Sequence, residues 1–362
     1  MTTTVDDAEP GAVTTTASRP RPHRALLLFL VKRVAITAGL LLGVTIVTFG
    51  LVTVVPGDPV TANLSDQALN DPATVAAFRE KWGLDQPLYV QYFQYLGHLL
   101  TGDLGISQQT GRTVTDDLFQ YVPATMELAI PTMVLALLIG TGIGMLAAVR
   151  NGRVTDQLIR VGALLGLSTP PFWLSLVVLY VFFYQLGLAP SGGRLSTDFS
   201  PPPTVTGMYT VDAAVAGQWD VAWDAAQHLI LPVLVLTSLT VAMLVRFVRS
   251  SMLEVLQQDY IRAAYAKGLP ARVVFRRHLL RAGLVPVITV SGLAFASLLS
   301  GTVLVENIFG WPGLGQYAYR SATALDLPAI LGVSLFVALV YTLVNLTVDL
   351  LYGLIDPRIR LS

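Results

Sequence analysis

Few residues in this sequence have the type and spacing to do chemistry. It holds no Gly-Lys-Ser or Gly-Lys-Thr triplet, so no loop that would cradle a nucleotide phosphate. No His-Glu-x-x-His pair is present, and His23, His98, His228 and His278 are scattered, which argues against a metal site built from this chain. With no cysteine, thiolate and disulfide chemistry are excluded. Three carboxylates lie in or beside long apolar runs: Glu127, Glu306 and Asp349. Such groups are costly in lipid and often functional. Glu127 and Glu306 fall at the ends of their runs, where water is expected to reach them, and Asp349 falls within reach of Arg358. Structural pairing is therefore favoured over solute contact for each. No His, Asp, Glu and Ser set converges on one depth, so a membrane-embedded enzyme has no support.

One stretch is dense in usable groups, Asp259-Tyr-Ile-Arg-Ala-Ala-Tyr-Ala-Lys-Gly268-Leu-Pro-Ala-Arg-Val-Val-Phe-Arg-Arg-His278. Asp259 suits a helix N-cap, and Tyr260 to Lys267 reads as a short amphipathic helix. Gly268 suits a left-handed helix end, and Pro270 the first turn of a second helix. That helix, Ala271 to Leu280, carries Arg272, Arg276 and Arg277 on its polar side. Ala263 and Ala264 are small enough for another surface to approach closely. One reading is a basic helix pair lying on an anionic lipid surface. The sharper one is a rigid wedge on which a soluble partner docks.

The elements that must position these groups follow from composition. The chain has 362 residues, 53% hydrophobic and only 13% charged, with 23 basic and 23 acidic residues balancing to zero. Soluble domains carry about a quarter charged residues, so disorder, charge-driven nucleic-acid binding and an ordinary cytosolic enzyme are excluded. Six apolar runs reach the ~20 residues that a membrane helix needs: Val34–Val55, Leu128–Val149, Val161–Leu188, Leu229–Val245, Ala282–Val305 and Leu327–Val348. Backbone groups in lipid must bond internally, so these are helices, and the fold class is an all-α polytopic membrane protein. Eighteen of the 23 basic residues fall in the N-terminal tail, the loops after the second and fourth spans, and the C-terminus. By the positive-inside rule those segments face the cytoplasm, and both termini with them. Residues 1–24, rich in Thr and Pro, read as a disordered cytoplasmic tail rather than a cleaved signal peptide. Residues 249–281 form the cytoplasmic loop that holds the wedge.

Two extracytoplasmic loops are long. Residues 56–122 contain helix-like stretches at Ala73–Lys81 and Leu88–Leu100 and read as a small ordered lid. Residues 189–226, with Pro201-Pro202-Pro203, read as irregular and mobile. Gly140, Gly142, Gly144, Gly162 and Gly166 permit close helix packing or, alternatively, a smooth translocation wall. Pro170-Pro171 break the third span, as a kink or a gate hinge. Trp311-Pro312-Gly313-Leu-Gly315 is a tight turn, with two further readings: sealing the outer mouth or touching another protein. Mid-span charge is scarce, and a proton-coupled carrier would show central carboxylates.

Ala263-Ala264-x-x-x-Gly268 resembles the "EAA" loop in permease subunits of binding-protein-dependent ABC importers. The longer run Asp259 to Leu269 is similar to the form in dipeptide, oligopeptide and nickel permeases. Arg262 replaces the Glu of the general pattern, and its late Pro falls at Arg281. Val55-Pro-Gly-Asp-Pro59, Gly83-Leu-Asp-Gln-Pro-Leu-Tyr-Val-Gln-Tyr92, Gly102-Asp-Leu-Gly105, Thr169-Pro-Pro-Phe-Trp173, Glu306 to Gly315 and Asn345 to Arg358 also resemble that subfamily. The resemblance covers roughly Arg24 to the end. It implies a type I ABC importer permease fold in the inner membrane, of the B-type peptide permeases. Implied partners are a sister permease in a heterodimer, two ABC ATPases, an extracytoplasmic peptide-binding protein and membrane lipid, with no nucleic acid. ATP and Mg would be bound by the ATPases, and this chain would need no cofactor. Asp259, Tyr260, Arg262, Ala263, Ala264, Lys267 and Gly268 would sit in the ATPase cleft. Glu306, Trp311, Pro312 and Gly313 would form an outer gate or a binding-protein contact. A nickel permease of the same family, or a stand-alone secondary carrier or channel, are the alternatives.

Overall fold

A computed structural model describes residues 22–54 and 57–355, with no strand among them beyond one isolated bridge between Ile106 and Thr113. Helix α1 (Pro22–Val54) leads into a group of four: α2 (Pro59–Asn63), α3 (Asp66–Leu69), α4 (Pro72–Trp82) and α5 (Leu88–Leu100). Then come α6 (Val114–Val149), α7 (Val154–Ser168), α8 (Pro171–Val178), α9 (Tyr209–Val215) and α10 (Trp219–Leu256). The chain ends with α11 (Asp259–Ala266), α12 (Ala271–Val274), α13 (Leu280–Gly301), α14 (Val303–Ile308), α15 (Leu314–Thr323) and α16 (Leu327–Ile355).

Among the described residues α6, α10 and α16 are each long and apolar enough to cross a membrane, and α7 with α8 can form one broken span. The apolar stretches Ala35–Leu51 in α1 and Pro286–Leu299 in α13 are shorter, so four of the six expected spans at most reach spanning length among the described residues. The expected boundaries shift for physical reasons. Helix α6 starts at Val114 rather than Leu128, and α10 runs from Trp219 to Leu256 rather than Leu229 to Val245. Hydropathy stops at a charge, but helical hydrogen bonding does not. The third span is broken rather than kinked: α7 and α8 meet at 98°, at the Thr169–Pro170 junction that lacks a helical N–H. Beyond α8, Leu179–Gln185 is wound as a π-helix. Helix α13 ends at Gly301, short of Val305. Pro22 already lies in α1, so residues 22–24 are helical. The rest of the expected tail, and Asp356-Pro-Arg358, fall outside the described residues.

Helix α10 is the spine. It packs along α6 and touches α7, α8, α9, α13 and α14. Gly140, Gly144 and Gly166 make that contact possible, because added Cβ atoms would meet Leu244, Val248 and Ala242 at 2.8, 2.7 and 2.8 Å. Gly142 and Gly162 face open space. Overpacking a close seam costs ~1–3 kcal/mol, so Gly144→Leu is expected to lower the unfolding temperature and the yield of inserted protein, while Gly142→Leu changes neither. Trp219, Trp223, Ile230 and Leu234 make an exposed apolar stripe down α10. From Trp223 to Arg246 the helix spans roughly 35 Å at ~1.5 Å per residue, close to one hydrocarbon thickness of ~30 Å. The tryptophans therefore mark one membrane interface and Arg246 the other. Leu256 and α11 project beyond the second.

Helices α4 and α5 appear where the sequence places helix-like stretches. The loop after α5 is tied to the α15–α16 corner by Ser107 Oγ and Gln109 N–H, which donate to the buried Asp326 carboxylate at 2.5 and 3.1 Å.

Candidate functional site

The dense sequence stretch folds into a wedge at the basic end of the bundle. Gln258, not Asp259, occupies the N-cap of α11, and Asp259 is the first helical residue. Its carboxylate favours the positive end of the helix dipole and lies 3.7 Å from Arg262, both side chains being exposed. Gly268 has φ of 76°, the left-handed conformation that a bulky residue resists. Its N–H bonds Tyr265 O at 2.9 Å, closing the helix. Pro270 is the N-cap of α12 rather than its first residue. Past α12 the chain continues as a π-helical turn, Phe275–Leu279, directly into α13.

One face of the wedge is anchored. Ile261, Ala264 and Val274 are buried together against Val255 and Leu256 at the foot of α10. Just above, Ala148, Val248, Met252, Leu279 and Val287 tie α6, α10 and α13 together. Ala264 therefore faces inward and is not available to a partner. The other face is open: Asp259, Arg262, Ala263, Ala266, Lys267 and Gly268 are exposed. Tyr260, Tyr265 and Leu269 are 46%, 49% and 36% exposed, a partly open apolar surface on a polar loop, with the His278 ring beside Tyr260. Arg272, Arg276 and Arg277 are exposed beside it.

Arg249, counted with the basic loop, is engaged inside the chain. Its guanidinium grips Asp156 at 2.6 and 2.8 Å and reaches Asn151 at 3.0 Å. Asp156 also accepts the Gly152 N–H at 3.0 Å. The buried carboxylate and the guanidinium thus satisfy each other's charge through two hydrogen bonds. This bridge ties the start of α7 to the spine immediately above the wedge.

At the opposite end the expected solvated carboxylates are buried, Glu306 at 0% and Glu127 at 4% exposure. Glu306 accepts hydrogen bonds from Thr125 Oγ1 at 2.7 Å, Thr302 Oγ1 at 2.8 Å and Gln316 N–H at 2.8 Å. Trp311 is buried and donates from Nε1 to Ala124 O at 2.8 Å, and a Cβ on Gly313 would come within 2.6 Å of Thr125 Oγ1. Glu306, Trp311 and Gly313 thus form a knot that joins α6, α14 and α15. In this conformation they offer a docking protein nothing to touch, and only Pro312 is partly exposed. Every partner of Glu306 is a donor, so Glu306→Gln inserts an amide donor among donors. The expected cost is ~1–3 kcal/mol, read as a lower midpoint of thermal unfolding.

Glu127 pairs with Arg194, a residue that the sequence does not mark. Arg194 Nη2 lies 2.6 Å from the Glu127 carboxylate and 2.7 Å from Gly207 O, while Thr210 donates its N–H and hydroxyl to the other Glu127 oxygen at 2.7 and 2.8 Å. The Tyr209 ring lies 3.6 Å from the guanidinium. Ser196 donates twice to Asp224, and Gly193 N–H bonds Phe309 O at 2.8 Å. Burial pushes the Asp212 carboxyl up, but hydrogen bonds from Thr206, Val205 and Gly207 outweigh it and hold the group below its usual range. The expected irregular, mobile loop is thus a strap stapled to α6, α10 and α14, with α9 inside it. Arg358 lies outside the described residues, and nothing bears on its expected pairing with Asp349.

Comparison with known proteins follows this geometry. Residues 140–361 match the family "Binding-protein-dependent transport system inner membrane component", and residues 26–129 match that family's N-terminal unit. The chain is 47% identical over 317 residues to the "Probable D,D-dipeptide transport system permease protein DdpB" of Escherichia coli (strain K12), covering 88% of this chain and 93% of that one. It is 41% identical to the "Dipeptide transport system permease protein DppB" of Alkalihalophilus pseudofirmus, over 92% of this chain and all of that one. A chain from inward-facing MetNI methionine ABC transporter structures superposes with a TM-score of 0.45 at 14% identity, over 64% of this chain and 93% of that chain. The family matches and the curated relatives lead to one conclusion: the chain belongs to the inner-membrane components of binding-protein-dependent transport systems, as a permease subunit of an ABC importer and not an enzyme.

Proposed function

We propose that this permease pairs with a homologous sister permease to form a path for di- or oligopeptides across the inner membrane, with its basic end and both termini in the cytoplasm. There the open face of α11 sits in a cleft on one of two ATPases, which bind ATP and Mg. An extracytoplasmic binding protein delivers the solute at the lid and strap. The peptide substrate is suggested by its relatives, which are dipeptide transport permeases. The coupling role is carried by α11: its buried side, Ile261 and Ala264, is fixed to α10, while Ala263, Tyr265 and Leu269 on the other side are exposed. A force on the open face would move α10 and α13 as one body, and α7 through the Arg249–Asp156 bridge.

Purification from native membranes and reconstitution test the reading. Two ATPase chains and a sister permease should co-purify in stoichiometric amounts, and peptide uptake should require ATP and the binding protein. Ion-driven uptake by the purified chain alone would instead establish the stand-alone carrier.

A further inference from the structure

We propose that a cleft between α7 and α10 at the basic end binds the phosphate headgroup of an anionic phospholipid, with an acyl chain lying along α7. The cleft has a volume of about 290 Å³, and its walls include Arg160, Leu164, Leu167, Arg246, Arg249 and Ser250. Its charge is unbalanced. The Asp156 carboxylate beside it is already gripped by Arg249 and capped by Gly152 N–H. Arg160 and Arg246 are exposed, and among the described residues neither forms a salt bridge; Arg160 feels the Asp156 charge only at longer range. Three guanidiniums, Arg160, Arg246 and Arg249, are thus set against one carboxylate around one small space, a geometry that suits phosphate oxygens.

The remaining wall is apolar. Leu164 and Leu167 are 56% and 40% exposed, and Leu158, Val161 and Leu165 extend the same bare surface along α7. A soluble phosphate has no use for that wall, whereas a lipid chain does. Depth points the same way: Arg246 lies about one hydrocarbon thickness from the Trp219–Trp223 pair, which places the cleft at headgroup level. Bound there, the lipid would brace the bend between α7 and α8 against the spine.

The test is native mass spectrometry of the complete transporter in detergent, offered equimolar phosphatidylglycerol and phosphatidylcholine. Wild type should retain phosphatidylglycerol selectively. Arg160→Gln with Arg246→Gln should weaken that retention about twenty-five-fold, at roughly fivefold per cationic side chain. Arg160→Lys with Arg246→Lys, which preserves charge and guards against misfolding, should keep most of it. Lys81→Gln with Arg320→Gln, two exposed cations at the other end of the bundle, should leave retention unchanged. Equal retention of both lipids, unaltered retention in the Arg160/Arg246 double Gln variant, or an equal loss in the Lys81/Arg320 control would overturn the site. Displacement of the lipid by excess inorganic phosphate, or retention lost only when the sister subunit is stripped away, would reassign the cleft to a free anion or a protein helix.

Discussion

Replacing Ala263 with tryptophan is expected to cut solute-stimulated ATP hydrolysis by the assembled transporter about tenfold or more, with the chain still folded and inserted. Ala263 is exposed on α11, so the larger ring can point away from its own chain. In a closely fitted cleft the same ring overpacks, at ~1–3 kcal/mol, and each ~1.4 kcal/mol is tenfold in an equilibrium. Its neighbour supplies the contrast. Ala264 is 5% exposed and packs with Ile261 and Val274, so Ala264→Trp should damage the wedge itself and lower the amount of inserted protein. Uptake, ATPase activity and insertion measured on both variants separate a partner surface from a folding element. Normal solute-stimulated hydrolysis in Ala263→Trp would show that nothing docks on that face.

The second large effect is expected at the strap. Arg194 and Glu127 are 8% and 4% exposed, and removing one member of a buried pair leaves the other charge uncompensated, at ~3–5 kcal/mol. Arg194→Met should therefore lower the thermal midpoint markedly and expose residues 190–208 to protease. Joining it with Glu127→Gln should recover part of the loss, because the stranded charge disappears and Thr210 can still bond the amide oxygen. Additive losses in the double variant would mean that the pair is not coupled.

These two predictions also show what a sequence discloses about such a chain. The lid helix Leu88–Leu100 and the glycine turn at Gly268 are legible because their causes are local: an apolar period, a proline start, a residue free to take positive φ. The long apolar helices are legible for the same reason, though not their true ends. Hydropathy cannot know that α10 continues helically past Arg246, nor that the Asp224 carboxylate before it is satisfied by Ser196. Arg194 was illegible because its partner is 67 positions away and no periodicity connects them. Glu306 reads as a solvated end group until Thr125, 181 positions distant, is seen to donate to it. Ala263 and Ala264 are identical letters side by side, and only the packing of Val255, Leu256 and Val274 decides which one faces a partner. The basic count overstated the docking surface, since Arg249 is held by Asp156.

The central claim, that the open face of α11 meets an ATPase, can be tested most directly by site-specific cross-linking. The chain has no cysteine, so Ala263→Cys introduces a unique thiol on that face. A short bifunctional thiol reagent applied to the assembled transporter should join this chain to an ATPase subunit in high yield, with a yield that changes on adding ATP. A cysteine on the strap, Val205→Cys, should give no such product. Cross-linking to the ATPase that is absent at Ala263→Cys, in a complex that still transports, would contradict the account.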